Sequence, residues 1–375
     1  MKKTVVWIFI ALCCLFFIQN TGVQAQIGTS AKAAVVINAD TCRVIYSQNQ
    51  NERLPMASTT KIMTALLLCE NADLEQTITV TKQMVTVEGS SMGLLAGDTV
   101  SYHDLLYGLL LASGNDAANT VAISLCGSVS AFADKMNEKA QQLGLKDTHF
   151  VTPSGLDAEG HYTTAYDLAC LAAYALQNED FLAACSSQNA TLNYGNPPYK
   201  RTIKNHNKLL GSYDGVIGVK TGFTKKSGRC LVSAARRDGK TVVAVTLNDP
   251  NDWQDHKALL DFGLSQLERK ALPNPLTKNK ISVVGAKVDS VKISAHIPSV
   301  SLTKNEWQNL KYDILLPQFI YAPNGNNQPI GQIKYTLDGK PLYSADIVLA
   351  ENVTADNKNS SFLQRFLKNL LLMLK

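Results

Sequence analysis

The chain has 375 residues, more than one small domain needs, and length alone predicts about two to three domains. With 45% hydrophobic and 18% charged residues it can build a core, and its composition excludes a disordered protein. The 36 basic and 31 acidic residues leave a net charge of +5 without any dense basic block, which excludes nucleic acid as a partner.

Residues 1–25 read as a secretory signal peptide: Lys2 and Lys3, an apolar run from Val5 to Ile18, and small residues at Val23-Gln24-Ala25. The mature chain is therefore expected to be exported and to begin at Gln26. Cys13 is a poor lipid-attachment site, because bulky Leu12 precedes it. Beyond the signal lie Cys42, Cys69, Cys126, Cys170, Cys185 and Cys230, with no CxxC; three of them sit in apolar, helix-like stretches, so mostly buried thiols are expected. The six histidines show no HxxxH or HxH pairing, and neither a metal nor another cofactor is expected.

Ala33 to Ile37 and Cys42 to Ser47 predict an antiparallel hairpin. Helical periodicity follows from Ser58 to about Glu70 and over about 101–112, 115–126, 130–143 and 164–177. Strand character returns at Gly215 to Val219, Arg229 to Arg236 and Lys240 to Leu247, before a last helix over about 254–267. Strands, then helices, then strands, without βαβ alternation, predict an α+β domain over 26–270 whose sheet is completed by both ends of that segment. Ala271-Leu-Pro-Asn-Pro275 reads as a linker, and 276–350 as a small all-β domain. Finally, Phe362, Leu363, Phe366, Leu367, Leu370, Leu371 and Leu374 repeat at helical spacing beside Arg365, Lys368 and Lys375. An amphipathic helix over 360–375 is too short to span a bilayer but suits its interface; packing on the protein is the other possibility, since amphipathicity alone does not separate the two.

Three short patterns carry chemistry: Ser58-Thr59-Thr60-Lys61, Ser113-Gly114-Asn115 and Lys220-Thr221-Gly222. Alone each is weak, and Ser-x-x-Lys recurs at Ser301 to Lys304. Ser58, however, lies at a predicted helix start, where Lys61 three residues on shares its face. A serine hydroxyl needs a neighbouring base, and lysine serves only if burial or a nearby cation lowers its pKa; Lys220 is the second cation. The helix N-terminus adds N–H donors for an oxyanion beside Ser58, and Gly222 leaves room for a substrate backbone.

Together these patterns resemble those of the penicillin-recognising serine acyl-transferases, and the Ser-Gly-Asn variant resembles the low-molecular-weight D-alanyl-D-alanine carboxypeptidases of peptidase family S11. Pro55 to Thr64, Gly89 to Met92, Leu111 to Ala117, Thr152-Pro-Ser-Gly-Leu-Asp157, Tyr162 to Leu168 and Gly218 to Thr224 extend the likeness from about Ala31 to Leu267. The resemblance implies a β-lactamase/transpeptidase-like catalytic domain, followed by a small β domain and an amphipathic anchor. It implies Ser58 as the acylated nucleophile, Lys61 as its base and Ser113 as a proton relay to the leaving group. Asn115 would hold the acyl-side amide, Lys220 and Thr221 would face the substrate's terminal carboxylate, and the Ser58 and Phe223 N–H groups would form the oxyanion hole. Partners would be peptidoglycan stem peptides ending in D-Ala-D-Ala, β-lactam antibiotics, and the outer face of the cytoplasmic membrane through the C-terminal helix.

Other readings stay open on the residues alone. A β-lactamase needs a Glu-x-x-Leu-Asn segment, and Glu179-Asp-Phe-Leu-Ala183 lacks the asparagine. Gly89-Ser-Ser-Met-Gly93 formally matches the α/β-hydrolase elbow without the strand and helix that motif requires. An endopeptidase would use the same residues, and a non-catalytic wall-binding protein could share the scaffold.

Overall fold

The computed structural model describes residues 27–356. The signal peptide expected over 1–25 and the helix expected over 360–375 lie outside the described residues.

Strand β1 (Ala33–Asn38) is buried throughout, and the chain turns back as the half-exposed β2 (Val44–Gln48). A 3-10 turn, Ala57–Thr60, runs directly into α1 (Lys61–Asn71), so the helix expected from Ser58 starts as a tighter turn. The helical part continues through β3 (Thr77–Thr79), α2 (Lys82–Val85), β4 (Thr99–Ser101), α3 (Tyr102–Leu110), α4 (Asn115–Cys126), α5 (Val129–Gln142), α6 (Ala165–Ala175) and α7 (Glu179–Ser186). Ser101, Ser128, Thr164 and Asn178 cap four of these helices with side-chain oxygens that accept backbone N–H bonds. Several elements have no counterpart in the sequence reading: the short β3, α2 and β4, then α7 and the hairpin β5 (Asn189–Gly195) with β6 (Pro198–Lys204). The hairpin's outer strand is polar and largely exposed, and so lacks an apolar run.

Strands β7 (Val216–Thr224), β8 (Gly228–Arg237) and β9 (Lys240–Leu247) then lead to α8 (Asp252–Gln266). The strand expected to stop at Val219 continues to Thr224, which puts Lys220-Thr221-Gly222 inside β7 rather than after it. The five-stranded antiparallel sheet has the order β2-β1-β9-β8-β7, and β1 pairs with β9 from Ala33↔Leu247 to Asn38↔Val242. Strand alternation then sorts the side chains. Val36, Val242 and Ala244 pack on Leu259, Leu260 and Leu264 of α8, while Val35, Ile37, Val243 and Val245 join the helical part on the other face.

Past β10 (Leu267–Ala271), a second region holds β11 (Lys280–Val284), β12 (Ser290–Ala295), β13 (Ser299–Thr303), α9 (Lys304–Asn309), β14 (Leu310–Leu315), β15 (Phe319–Tyr321), β16 (Pro329–Leu337) and β17 (Lys340–Leu349). Six of its strands form a sheet of order β14-β16-β17-β12-β11-β15 around Ile281, Val283, Ile293, Ile333, Tyr335 and Ile347. The all-β expectation is corrected by α9, whose capping box of Thr303 and Glu306 starts a helix that periodicity over six residues could not announce. The Ser301 to Lys304 copy of Ser-x-x-Lys runs from buried Ser301 in β13 into the start of α9, and is structural. The regions are joined by β10 pairing with β13, by Asn38 Nδ2 donating to Ser301 O (2.7 Å), and by Arg43 ion-paired with Glu306 and Asp338.

Candidate active site

The 3-10 turn presents Ser58 half-buried at the face of the sheet edge, while Lys61 is 0% exposed. Lys61 Nζ lies 2.9 Å from Ser58 Oγ, 2.7 Å from Asn115 Oδ1 and 2.6 Å from Ser154 O. Two of these partners are carbonyl oxygens, which only accept. A neutral amine has two N–H groups and one lone pair, so with both N–H groups committed to Asn115 and Ser154 its lone pair faces the Ser58 hydroxyl. Burial holds Lys61 well below the usual lysine range; Lys220 adds a like charge that lowers it further, and Asp116 pulls the other way. In this arrangement an unprotonated Lys61 amine is placed to accept the Ser58 hydroxyl proton.

Ser113, at a left-handed φ of 58°, lines the same cavity as Ser58. Lys220 Nζ is 3.0 Å from Ser113 Oγ and 2.8 Å from Thr221 O. Burial pushes Lys220 down to about 7. Asn115 is held at both ends, its Oδ1 by Lys61 and its Nδ2 donating to Glu88 O (2.7 Å), so its amide positions the lysine before any substrate arrives. Asp116 anchors the facing loop, accepting from Ser91 Oγ and from the backbone N–H groups of Met92, Gly93 and Leu94.

Strand β7 forms one wall and is an edge strand. Arg229, opposite Phe223, turns its carbonyl to the Asp249 N–H on the far side (2.9 Å). By the alternation of antiparallel pairs, Phe223 then points its N–H off the open edge, as Thr221 does its carbonyl. Gly222 lines the same cavity as Ser58, and a Cβ there would lie 3.0 Å from Ser58 N and 3.1 Å from Met56 O, so the glycine admits the Ser58 turn against β7. The Ser58 and Phe223 N–H groups are thereby neighbours.

Three contributors carried no individual signal in the sequence, although two lie in the Thr152 to Asp157 stretch. Ser154 acts through its carbonyl, which no side-chain pattern reveals. Gly155, at φ +86°, must lack a side chain because a Cβ would fall 1.9 Å from Ala57 O. His161 is buried; its Nδ1 accepts from the Val151 N–H (2.9 Å), so Nε2 carries the proton and donates to Thr60 Oγ1 (2.8 Å), which in turn donates to Ala57 O (2.8 Å). Burial and then His149 push His161 down to about 4, keeping it neutral. Gly155 and this chain together clamp Ala57, itself at φ +46°, directly before Ser58.

Ser58, Ser113, Thr221 and Phe223 open onto a cavity of about 320 Å³ whose far end is built by His206, Lys208, Arg229, Asp252 and Trp253. A larger cleft of about 720 Å³ lies between the two regions, at Arg43 and Glu306, and contains none of the three patterns. Among the described residues no cluster of three or more His, Cys, Asp or Glu side chains could hold a metal ion. Glu179, the residue a β-lactamase reading would need, is exposed in the first turn of α7.

An α+β scaffold with a serine, two buried lysines and a second serine around one cleft defines the class of active-site-serine acyl-transfer folds. A family profile described as D-alanyl-D-alanine carboxypeptidase matches residues 19–251, and one described as the C-terminal domain of penicillin-binding protein 5 matches residues 273–355. The chain belongs to the D-alanyl-D-alanine carboxypeptidase family. It is 33% identical over 358 residues to D-alanyl-D-alanine carboxypeptidase DacF of Bacillus subtilis, covering 92% of this chain and 90% of that protein. Against DacC of Escherichia coli the identity is 31%, covering 86% and 84%. Among solved structures, penicillin binding protein 5 from Haemophilus influenzae superposes with a TM-score of 0.66 at 27% identity, covering 87% of this chain and 98% of that one. The Streptomyces K15 DD-transpeptidase gives 0.61 at 33%, covering 64% and 98%.

Proposed function

We propose that this chain is a serine-type D-alanyl-D-alanine carboxypeptidase that removes the terminal D-alanine from peptidoglycan pentapeptides through a Ser58 acyl-enzyme, and that penicillins acylate the same serine. The observation that carries this reading is the fully buried Lys61 amine 2.9 Å from Ser58 Oγ, with its two N–H groups claimed by acceptor-only oxygens. In the proposed sequence Lys61 takes the Ser58 proton as Oγ attacks the carbonyl before the last D-alanine. Negative charge on that carbonyl oxygen is met by the Ser58 and Phe223 N–H groups. Ser113, bonded to Lys220, passes a proton to the departing amine, while charged Lys220 and Thr221 meet the terminal carboxylate. Asn115 keeps Lys61 oriented throughout. Water then completes the cycle by attacking the ester.

The same reading takes residues 1–25 as a signal peptide, 26–270 as the catalytic domain, 276–350 as a spacer, and 360–375 as an anchor on the outer face of the cytoplasmic membrane. Its support is the charge and periodicity of those segments and the surface location of the precursor peptides. Deleting 360–375 is expected to release the protein from membranes with its penicillin labelling intact.

Product analysis on a purified muropeptide ending in D-Ala-D-Ala tests the reaction. One free D-alanine per peptide is expected; cleavage of cross-links alone would indicate an endopeptidase, and transfer to an added amine without hydrolysis a transpeptidase.

A further inference from the structure

Neither strand of the β5–β6 hairpin lines the active-site cavity, yet two of its side chains reach the loop that does. Ser90, in that loop, borders the cavity together with Ser58 and Ser113. The fully buried Tyr194 donates its hydroxyl proton to Met92 O, and Arg201 Nη1 donates to Gly93 O (2.9 Å). Arg201 is itself stacked between two rings, its guanidinium carbon 4.2 Å from the centre of Tyr194 and 4.1 Å from that of Tyr199. Its Nε is buried without a hydrogen-bond partner, a cost that a side chain on a largely exposed strand would escape by turning to water. The loop is held on its other side from the second motif, where Met92, Gly93 and Leu94 give their N–H groups to Asp116. Packing there is close: a Cβ on Gly114, the middle residue of Ser113-Gly114-Asn115, would lie 3.1 Å from Met92 N. The loop also accepts twice from Asn115, whose backbone N–H reaches Ser90 O and whose Nδ2 reaches Glu88 O, each at 2.7 Å. Asn115 Oδ1 in turn holds Lys61 Nζ. A chain of contacts thus runs from the hairpin, through the loop, to the amine beside Ser58.

The geometry points to Tyr194 and Arg201 as positioning residues for acylation, which hold residues 88–93 as the wall facing β7 and, through that wall, keep Asn115 on Lys61. This rests on the reading of Ser58 as the acylated serine and Lys61 as its base. Two carbonyl contacts are enough for the task because the loop's N–H groups are already tied to Asp116. Without the hairpin the loop is fixed along one side alone and can pivot about that carboxylate, carrying the Ser90 and Glu88 carbonyls away from Asn115. A displacement of about 1 Å at a positioning group costs up to about 10²-fold in rate.

The test compares Tyr194→Phe, Arg201→Lys and Arg201→Gln with the parent chain by the rate of acylation across a range of penicillin concentrations, which separates the acylation step at saturation from the binding that precedes it. The saturating rate is expected to fall roughly tenfold in Arg201→Gln and severalfold in Tyr194→Phe, which loses a single hydroxyl. Arg201→Lys should lie between the parent and Arg201→Gln, since an ammonium still donates to Gly93 O but has no plane to stack. Thr202→Ala, which removes a hydroxyl contact with Thr191 in the same hairpin (3.3 Å), should leave the rate unchanged. Hydrogen exchange of the 88–95 backbone should quicken in Tyr194→Phe and Arg201→Gln and not in Thr202→Ala. A lowered thermal midpoint with an unchanged saturating rate would make the two residues merely structural and overturn the proposal, as would unchanged exchange at the loop. Absence of labelling in the parent chain would count against the acyl-enzyme reading instead, and faster loop exchange in the variants would still show the hairpin holding the wall.

Discussion

In the N-terminal region Lys61 and Lys220 are 0% and 1% exposed, and the turn that carries Ser58 is wedged against Gly155 and Gly222 with Ala57 in the left-handed region. In the C-terminal region the six-stranded sheet closes over Ile281, Ile293, Ile333, Tyr335 and Ile347, and the buried Glu306 caps a helix and faces Arg43 of the other region. Burying an amine lowers stability, and the first region buries both of these lysines beside one cleft, where Ala57 and Ser113 also adopt left-handed backbone. The second region buries no lysine among the described residues, and its left-handed residues, Asn327 and Asp338, lie in turns beside β16 and β17. A fold under no chemical demand reads as ordinary packing, whereas a site is found where the packing rules are broken and the breaks touch one another.

The comparison is broken most directly by removing the chemistry while leaving the packing. Ser58→Ala is expected to abolish labelling by a fluorescent penicillin with the thermal midpoint retained. Lys61→Arg, which cannot deprotonate, should slow labelling by about 10²–10⁴-fold, and Lys220→Arg should keep more of it because a fixed charge still meets a carboxylate. Equal retention by the two lysine variants would remove the division of roles.

Core substitutions come next and should separate the regions. Ile333→Ala is expected to cost about 2–5 kcal/mol in the unfolding of the β region while leaving the rate of penicillin labelling unchanged. Gly155→Ala should cost about 1–3 kcal/mol and slow labelling as well, since its Cβ displaces Ala57. Paired denaturation and labelling measurements check both; unimpaired labelling in Gly155→Ala would mean that Ala57 is not held for catalysis.

The pH dependence sharpens the electrostatic side. In the proposed mechanism Lys61 is the neutral amine and Lys220 the cation, so kcat/KM for a peptide ending in a carboxylate should rise about tenfold per pH unit below the lowered pKa of Lys61. Lys220 acts as the cation, so the rate should fall again as pH passes about 7. Lys220→Arg should lose the alkaline fall and keep the acid rise. Smallest of all is Arg43→Ala, which removes two partly exposed ion pairs between the regions and should cost about 0.2–1 kcal/mol per pair, with labelling unaltered.

Much of this molecule is legible along the chain. The β1–β2 hairpin, α1, α3 to α6 and β7 to β9 follow from apolar or β-branched runs and helical periodicity bounded by turn residues, because those runs are long enough to stand out along the chain. The three motifs and their order point to Ser58, Lys61, Ser113, Asn115 and Lys220, because nucleophile and base are side chains whose types and spacing are printed in the sequence. What failed was short or polar: β3, α2 and β4 have only three or four residues, and α7, α9 and the β5–β6 hairpin lack a sustained apolar face.

Only the tertiary structure decided how Lys61 points. Its orientation depends on the Ser154 carbonyl, 93 positions away, and a backbone oxygen has no residue type to read. That Gly222 admits the Ser58 turn was likewise not legible, because the close approach of β7 to that turn arises when the sheet is assembled from both ends of the domain. Sequence by itself determined which groups can do the chemistry. Packing determined their protonation and direction, since desolvation and hydrogen-bond geometry exist only once distant segments exclude water from the same cleft.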